Sequence, residues 1–190
     1  MRAERLVSTG RAFLRAGDPG SALAYFREAI QVDRRFAVAY EELASLYLTR
    51  EQLSTALEVL RAGLRRRPDH IPLHLLLARA LRDQGAADEA IDVLRDLVRQ
   101  EPRSVAAHAQ RAAFARDRGA WAEALSSYRA IVFLAEEAER SATAPPREEV
   151  PEATLREARE HVAALSLLVG EVDPARRCGS PVRDALCGRN

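Results

Sequence analysis

The sequence predicts an all-α protein, an α-solenoid of stacked antiparallel helix pairs. Composition gives the first indication: 47% of the residues are apolar but only 5% are aromatic, so the core must be built mainly from alanine and leucine. These residues favour helices, whereas strands favour aromatic and β-branched residues. An internal period gives the second indication, because Ala22, Ala56, Ala90 and Ala124 are each separated by 34 residues. The 190 residues are enough for one such solenoid.

Further columns of the aligned copies share this period. The positions four and eight residues after each alanine are apolar in every copy: Phe26, Leu60, Leu94 and Tyr128, then Ile30, Leu64, Val98 and Val132. Spacings of four and eight trace one stripe along a helix. Upstream, a column of small residues predicts that two helices approach closely there: Gly10, Ala44, Ala78 and Ala112.

The turn inside each pair also follows the period. Gly17, Gly85 and Gly119 suit a helix that ends in the left-handed conformation, and Glu51 takes this place in the second copy. Together the patterns predict helices at about 3–16, 19–32, 37–50, 53–66, 71–84, 87–100, 105–118, 121–139 and 152–169.

The second copy carries the fullest version of the pattern: Tyr40, Leu43, Ala44, Tyr47, Ala56, Leu60, Gly63 and Pro68. A 34-residue helix–turn–helix with these columns resembles the tetratricopeptide repeat (TPR), and the resemblance covers about residues 3–138. The resemblance implies a right-handed superhelix in which the first helix of each pair lines a concave groove that binds ligands.

The predicted organisation has four parts. Residues 1–140 form four TPR-like helix pairs, at about 3–36, 37–70, 71–104 and 105–138. A proline-rich linker follows at 141–151, and a degenerate fifth repeat at 152–177 provides a capping helix, with a groove-covering plug as the alternative for that helix. The tail 178–190, with Cys178 and Cys187, is expected to be disordered and its thiols free.

Carried over position by position, the resemblance places one residue set in the groove. These residues are predicted to bind the partner: Arg11, Leu14, Arg15, Glu41, Ser45, Leu48, Leu75, Arg79, Arg82 and Arg116, with Val7 exposed beside them. Such a surface suits a peptide or helix that is amphipathic and carries acidic residues, because arginine binds carboxylates through charge-assisted hydrogen bonds. A solvated helix face in an arginine-rich chain is the alternative interpretation.

Catalytic and metal sites are not predicted. The sequence contains no nucleophile elbow, phosphate loop or paired-histidine metal motif, so we expect no enzyme activity, cofactor, bound metal or small-molecule substrate. His74 and His108 are 34 residues apart in equivalent positions, but no acidic or thiol partner is evident. We interpret both as histidines that fill an aromatic position in the core.

Charge and hydropathy limit the partners. The 29 basic residues, all arginine, balance 28 acidic ones for a net charge of +1, so we expect no nucleic-acid binding, although a nucleic-acid-binding solenoid that uses the groove arginines is the alternative function. The absence of lysine is typical of high-GC bacterial genes. No signal peptide or stretch of about 18 apolar residues is present, so we expect a cytoplasmic protein without membrane insertion.

The predicted function is a non-catalytic scaffold or adaptor for other proteins. Within that class, the resemblance allows a bacterial assembly factor, an accessory of a secretion or pilus system, or a subunit of a larger complex. Self-association through the solenoid ends is a further expectation, because Leu6 and Val7 have no preceding helix to cover them.

Overall fold

The computed structural model describes residues 2–140 and 150–168. That part of the chain contains α-helices and no strand, which confirms the all-α prediction. The helices are α1 (Arg2–Arg15), α2 (Pro19–Val32), α3 (Ala37–Thr49), α4 (Leu53–Arg66), α5 (Ile71–Asp83), α6 (Ala87–Gln100), α7 (Val105–Asp117), α8 (Trp121–Arg140) and α9 (Glu152–Leu168). Every helix end lies within one residue of the position that the sequence periodicity predicts.

The chain divides into two compact units, residues 1–102 and residues 103–190. The first unit contains α1 to α6 and the second contains α7 to α9. Several predictions lie outside the described residues: most of the linker (141–149), the end of the fifth repeat (169–177), and the tail 178–190 with both cysteines. No helix in the described ranges is long and apolar enough to cross a membrane.

Three helix pairs form the first unit, α1 with α2, α3 with α4, and α5 with α6. In the first two pairs the second helix also packs on the first helix of the next pair, α2 on α3 and α4 on α5. The alanine column of the second helices lies in the core of this unit, since Ala22, Ala56 and Ala90 are fully buried. Small residues at these positions allow the helices to pack closely, as the 34-residue period predicts.

The small-residue column makes a very close contact at Gly10. A Cβ atom at this position would lie 2.5 Å from Cε1 of Phe26, which is itself fully buried. Gly10 is therefore required by the close approach of α1 to the Phe26 ring on α2, as the sequence column predicts.

The turns inside the pairs adopt the predicted left-handed conformation. Gly17, Gly85 and Gly119 have φ angles of 78°, 90° and 74°, and Glu51 at the equivalent position has a φ of 59°. Glycine adopts this conformation without steric cost, whereas a residue with a Cβ atom does so at a cost of about 1–2 kcal/mol.

Replacing Glu51 with glycine is therefore expected to stabilise the protein by up to about 1 kcal/mol, because the relief of strain exceeds the added entropy of the unfolded chain. Urea unfolding would measure the change. The matched control is Glu58→Gly, in the exposed middle of α4, where φ is helical and glycine costs about 1 kcal/mol. A loss of stability in both variants would contradict the assigned backbone strain at Glu51.

In the second unit, α7 pairs with α8, and α9 packs on α8. Ala158 and Leu165 of α9 are buried and belong to one hydrophobic cluster with Tyr128 and Ile131 of α8. The cluster also includes Ala112 of α7. The α9 helix therefore covers apolar surface that α7 and α8 present.

Candidate protein-interaction surface

The first helices of the three pairs in the first unit form one continuous face. Helix α1 contacts α3, and α3 contacts α5, in addition to the contacts within each pair. We call this surface the first-helix face; it is made by α1, α3 and α5. The predicted binding residues of the first three repeats all lie on these helices.

The acidic side chains of α3 are already engaged by neighbouring helices. Arg11 of α1 donates from both Nε and Nη2 to Oε1 of Glu42, at 2.8 and 2.6 Å. Glu41 pairs with Nε2 of His70, the residue before α5. These two contacts tie the three first helices together, and the positive charge of Arg11 neutralises the negative charge of Glu42.

The arginines of this face differ in their surroundings. Arg15 and Arg79 are exposed, and neither forms a hydrogen bond or ion pair with a described residue. Arg82 is also exposed and lies 3.4 Å from the carboxylate of Asp83. Arg11 is paired with Glu42. Among the predicted binding arginines of the first unit, Arg15 and Arg79 therefore have no carboxylate partner within the described residues.

The remaining predicted side chains of the face are apolar or small. Leu14, Ser45, Leu48 and Leu75 are each partly buried. Leu14 and Leu48 pack against the core of the unit while part of each side chain stays accessible. The face thus combines accessible leucine surface with exposed positive charge.

Val7 was predicted to be exposed in the groove, and this prediction is wrong. Val7 is 3% exposed and lies in the hydrophobic core with Phe26 and Leu43. Its place in the repeat puts it at the contact between α1 and the following pair, and aliphatic side chains at such contacts are buried. Val7 therefore cannot supply the uncovered apolar end expected for self-association, whereas Leu6 is partly exposed.

The two equivalent histidines have different environments. His108 is 6% exposed, as a core histidine should be, and the prediction is confirmed for it. His74 is only partly buried, and its Nε2 makes a hydrogen bond of 2.7 Å with the backbone oxygen of Pro68. A polar ring nitrogen pairs with a turn carbonyl there, so His74 is not a core residue. No group of three potential metal ligands occurs in the described ranges.

Arg116 belongs to the second unit and is held by α9. Its Nη1 donates to Nε2 of His161 at 2.8 Å and to Oη of Tyr128 at 3.3 Å, and Glu157 lies 3.6 Å away. Accepting from arginine requires that Nε2 of His161 carries no proton. Arg116 therefore makes intramolecular contacts that the sequence did not predict.

The contact between α9 and α8 includes an aromatic pair. The rings of Tyr128 and His161 stack with centroids 4.7 Å apart. Burial raises the pKa of the Tyr128 phenol, and the positive charge of Arg116 partly offsets this effect. The sequence indicated the apolar stripe of α9 but gave no signal for His161, because its partners lie on other helices.

The comparisons with known proteins identify the family. A family model described as the tetratricopeptide repeat matches residues 13–80 and 50–114. The chain therefore belongs to the tetratricopeptide repeat family, and its fold is a TPR-like solenoid.

Solved structures with this fold are similar to the chain at low sequence identity. The thermophilic TPR protein TTC0263 of Thermus thermophilus is 22% identical with a TM-score of 0.58, over 88% of this chain and 83% of that one. YrrB, described as a TPR protein with an unusual peptide-binding site, is 19% identical with a TM-score of 0.54, over 88% and 91%. MamA of Desulfovibrio magneticus RS-1, from residue 41 to its end, is 16% identical with a TM-score of 0.57, over 90% of this chain and 97% of that one. No curated protein sequence matches the chain.

Membership of this family indicates a general role in binding other proteins. TPR proteins are generally scaffolds for protein–protein interactions, and membership of the family supports that general role for this chain.

Proposed function

We propose that the chain is a non-catalytic adaptor that binds a segment of a partner protein on the first-helix face. The bound segment is amphipathic and carries acidic residues. In the cell such an adaptor serves as an assembly factor, a secretion or pilus accessory, or a subunit of a larger complex in a bacterium.

The observation that carries the proposal is the uneven charge of the first-helix face. The Glu42 carboxylate is paired with Arg11, and the Glu41 carboxylate is in hydrogen-bond contact with His70. Carboxylates of the face are therefore occupied, while Arg79 stays exposed without a described partner. An incoming carboxylate meets positive charge there instead of competing acids.

Helix spacing supports the same face. Contacts run from α1 to α3 and from α3 to α5, whereas the second helices α2, α4 and α6 have at most marginal contact with one another among the described residues. Elements that are closer together on one side of a stack lie on its inner, concave side. Peptide binding by YrrB is a property of that protein, and it provides a precedent within the fold for a segment held by a TPR protein.

The test is co-purification from a high-GC bacterial host with a charge-reversed variant, Arg79→Glu with Arg82→Glu. A partner that binds the intact chain stoichiometrically is identified by mass spectrometry, and its affinity for both forms is then measured. We expect the variant to weaken binding about tenfold or more, because like charges face each other across the interface.

The matched control is Arg95→Glu with Arg99→Glu on α6. These arginines form ion pairs with Asp92 and Asp96 of the same helix. Both variants change the net charge equally, and in both one arginine comes from the last turn of its helix. Equal weakening by the two variants would contradict the proposed face, and recovery of RNA instead of protein would support the nucleic-acid alternative.

A further inference from the structure

Two turns of the first unit that both contact Tyr40 carry four arginines. Arg34 and Arg35 lie in the turn between α2 and α3, and Arg65 and Arg66 end helix α4. All four are exposed. We call this surface the arginine corner, and none of its residues belongs to the first-helix face described above.

Tyr40 shows that these charges lie together. Its hydroxyl donates to the backbone oxygen of Arg34 at 3.1 Å. Burial raises the pKa of the Tyr40 phenol, the positive charges of Arg66, Arg34 and Arg65 lower it, and the negative charge of Asp33 raises it. Tyr40 also packs against the end of α4, since a Cβ atom at Gly63 would lie 3.0 Å from Cβ and Cγ of Tyr40. The same residue therefore contacts both turns.

The corner has no carboxylate partners of its own. None of its four guanidinium groups forms an ion pair with a described residue. Two acids lie beside the corner: Asp69 pairs with Arg67 at 3.1 Å, and Asp33, whose negative charge acts on the Tyr40 phenol, accepts from the backbone nitrogen of Arg35 at 2.8 Å. On the same unit, Arg61 and Arg11 each reach a glutamate on a neighbouring helix pair.

Helix stability explains only part of this cluster. Arg65 and Arg66 occupy the last turn of α4, where positive charge complements the helix dipole. Arg34 and Arg35 lie between the end of α2 and the start of α3, where the two helix dipoles have opposite sign and their effects largely cancel. Positive side chains without ion-pair partners repel one another, which costs stability. Binding of an anionic partner would relieve this repulsion.

We propose that the arginine corner is a second docking surface, which binds an acidic segment of a partner protein. The guanidinium group presents a planar fork of donors that matches a carboxylate. Nucleic acid fits less well, because the net charge of the chain is only +1 and the ring at the corner, Tyr40, is 6% exposed and cannot stack on bases.

The test uses a short fluorescent peptide of glutamate and glycine, whose binding to the full chain is followed by anisotropy at several salt concentrations. Such a peptide lacks the apolar side chains that the first-helix face would contact. The corner variant, Arg34→Glu with Arg66→Glu, is expected to weaken binding at least tenfold. Circular dichroism and thermal unfolding check that each variant is folded.

Two other variants with the same charge change separate this proposal from its alternatives. Arg95→Glu with Arg99→Glu should leave peptide binding unchanged, and equal loss there would mean that only net charge matters. Arg79→Glu with Arg82→Glu removes positive charge from the first-helix face, so it should weaken peptide binding clearly less than the corner variant does. Equal or greater weakening by this variant would place the peptide on the first-helix face and overturn the proposal. Absence of binding by the native chain, or tighter binding to a single-stranded RNA of equal charge, would overturn the proposal.

Discussion

Leu165→Ala is expected to lower the free energy of unfolding of the second unit by about 2–5 kcal/mol, the usual cost of truncating a buried leucine. Leu165 is 3% exposed and, with Ala158, anchors α9 in the cluster formed with Tyr128 and Ile131. The variant should also increase amide hydrogen exchange throughout α9, because the helix has few other buried side chains. Exchange followed by mass spectrometry and urea unfolding together measure the effect.

The matched control is Leu167→Ala, the same substitution two residues along the same helix. Leu167 is 79% exposed, so truncating it removes little packed surface, and the change in stability is expected to stay within about 0.5 kcal/mol. If both variants exchange equally fast along α9, the docking of this helix through Leu165 is refuted.

Gly10→Ala is expected to destabilise the first unit, although alanine favours helices over glycine by about 1 kcal/mol. The new methyl group would lie 2.5 Å from Cε1 and 2.8 Å from Cδ1 of Phe26. That ring is fully buried, so any shift of it must displace packed neighbours. Overpacking of this kind costs about 1–3 kcal/mol, which exceeds the gain in helix propensity.

Two further glycines within helices provide a graded comparison. At Gly20, near the start of α2, an added Cβ atom would meet only Asp18, at 3.4 Å, so alanine should stabilise the protein. At Gly63 it would lie 3.0 Å from side-chain atoms of Leu73 and Tyr40, an intermediate case. A double variant, Gly10→Ala with Phe26→Leu, should recover part of the loss. Stabilisation by Gly10→Ala alone would contradict the close packing of α1 on α2.

The sequence alone determined the helices, their ends and the turns between them. Helix positions follow from the apolar stripe and from local propensity, which are properties of neighbouring residues in the chain. The turns follow from glycine, because only glycine adopts positive φ without strain; Glu51 is the one such turn where the sequence departs from this rule, and it still adopts a φ of 59°. The surrounding helices impose that conformation on it.

The tertiary structure decided which charged groups remain available. The sequence placed Arg11, Glu41 and Arg79 on one face as equivalent candidates, but the pairing of Arg11 with Glu42 and of Glu41 with His70 depends on how neighbouring helices stack. Residues about 30 positions apart in the chain meet there, and a 34-residue period does not specify which rotamers bring their side chains into contact.

The same reason applies to the surfaces that the sequence did not reveal. Arg65 and Arg66 could be explained as the basic end of one helix, and only the stacking of α4 beside the turn after α2 puts them near Arg34. Likewise, Arg116 follows the groove pattern, but α9 brings His161 against it. Periodicity fixes which residues share a helix face, whereas long-range packing decides whether a charge on that face meets a partner within the chain or is left exposed to one outside it.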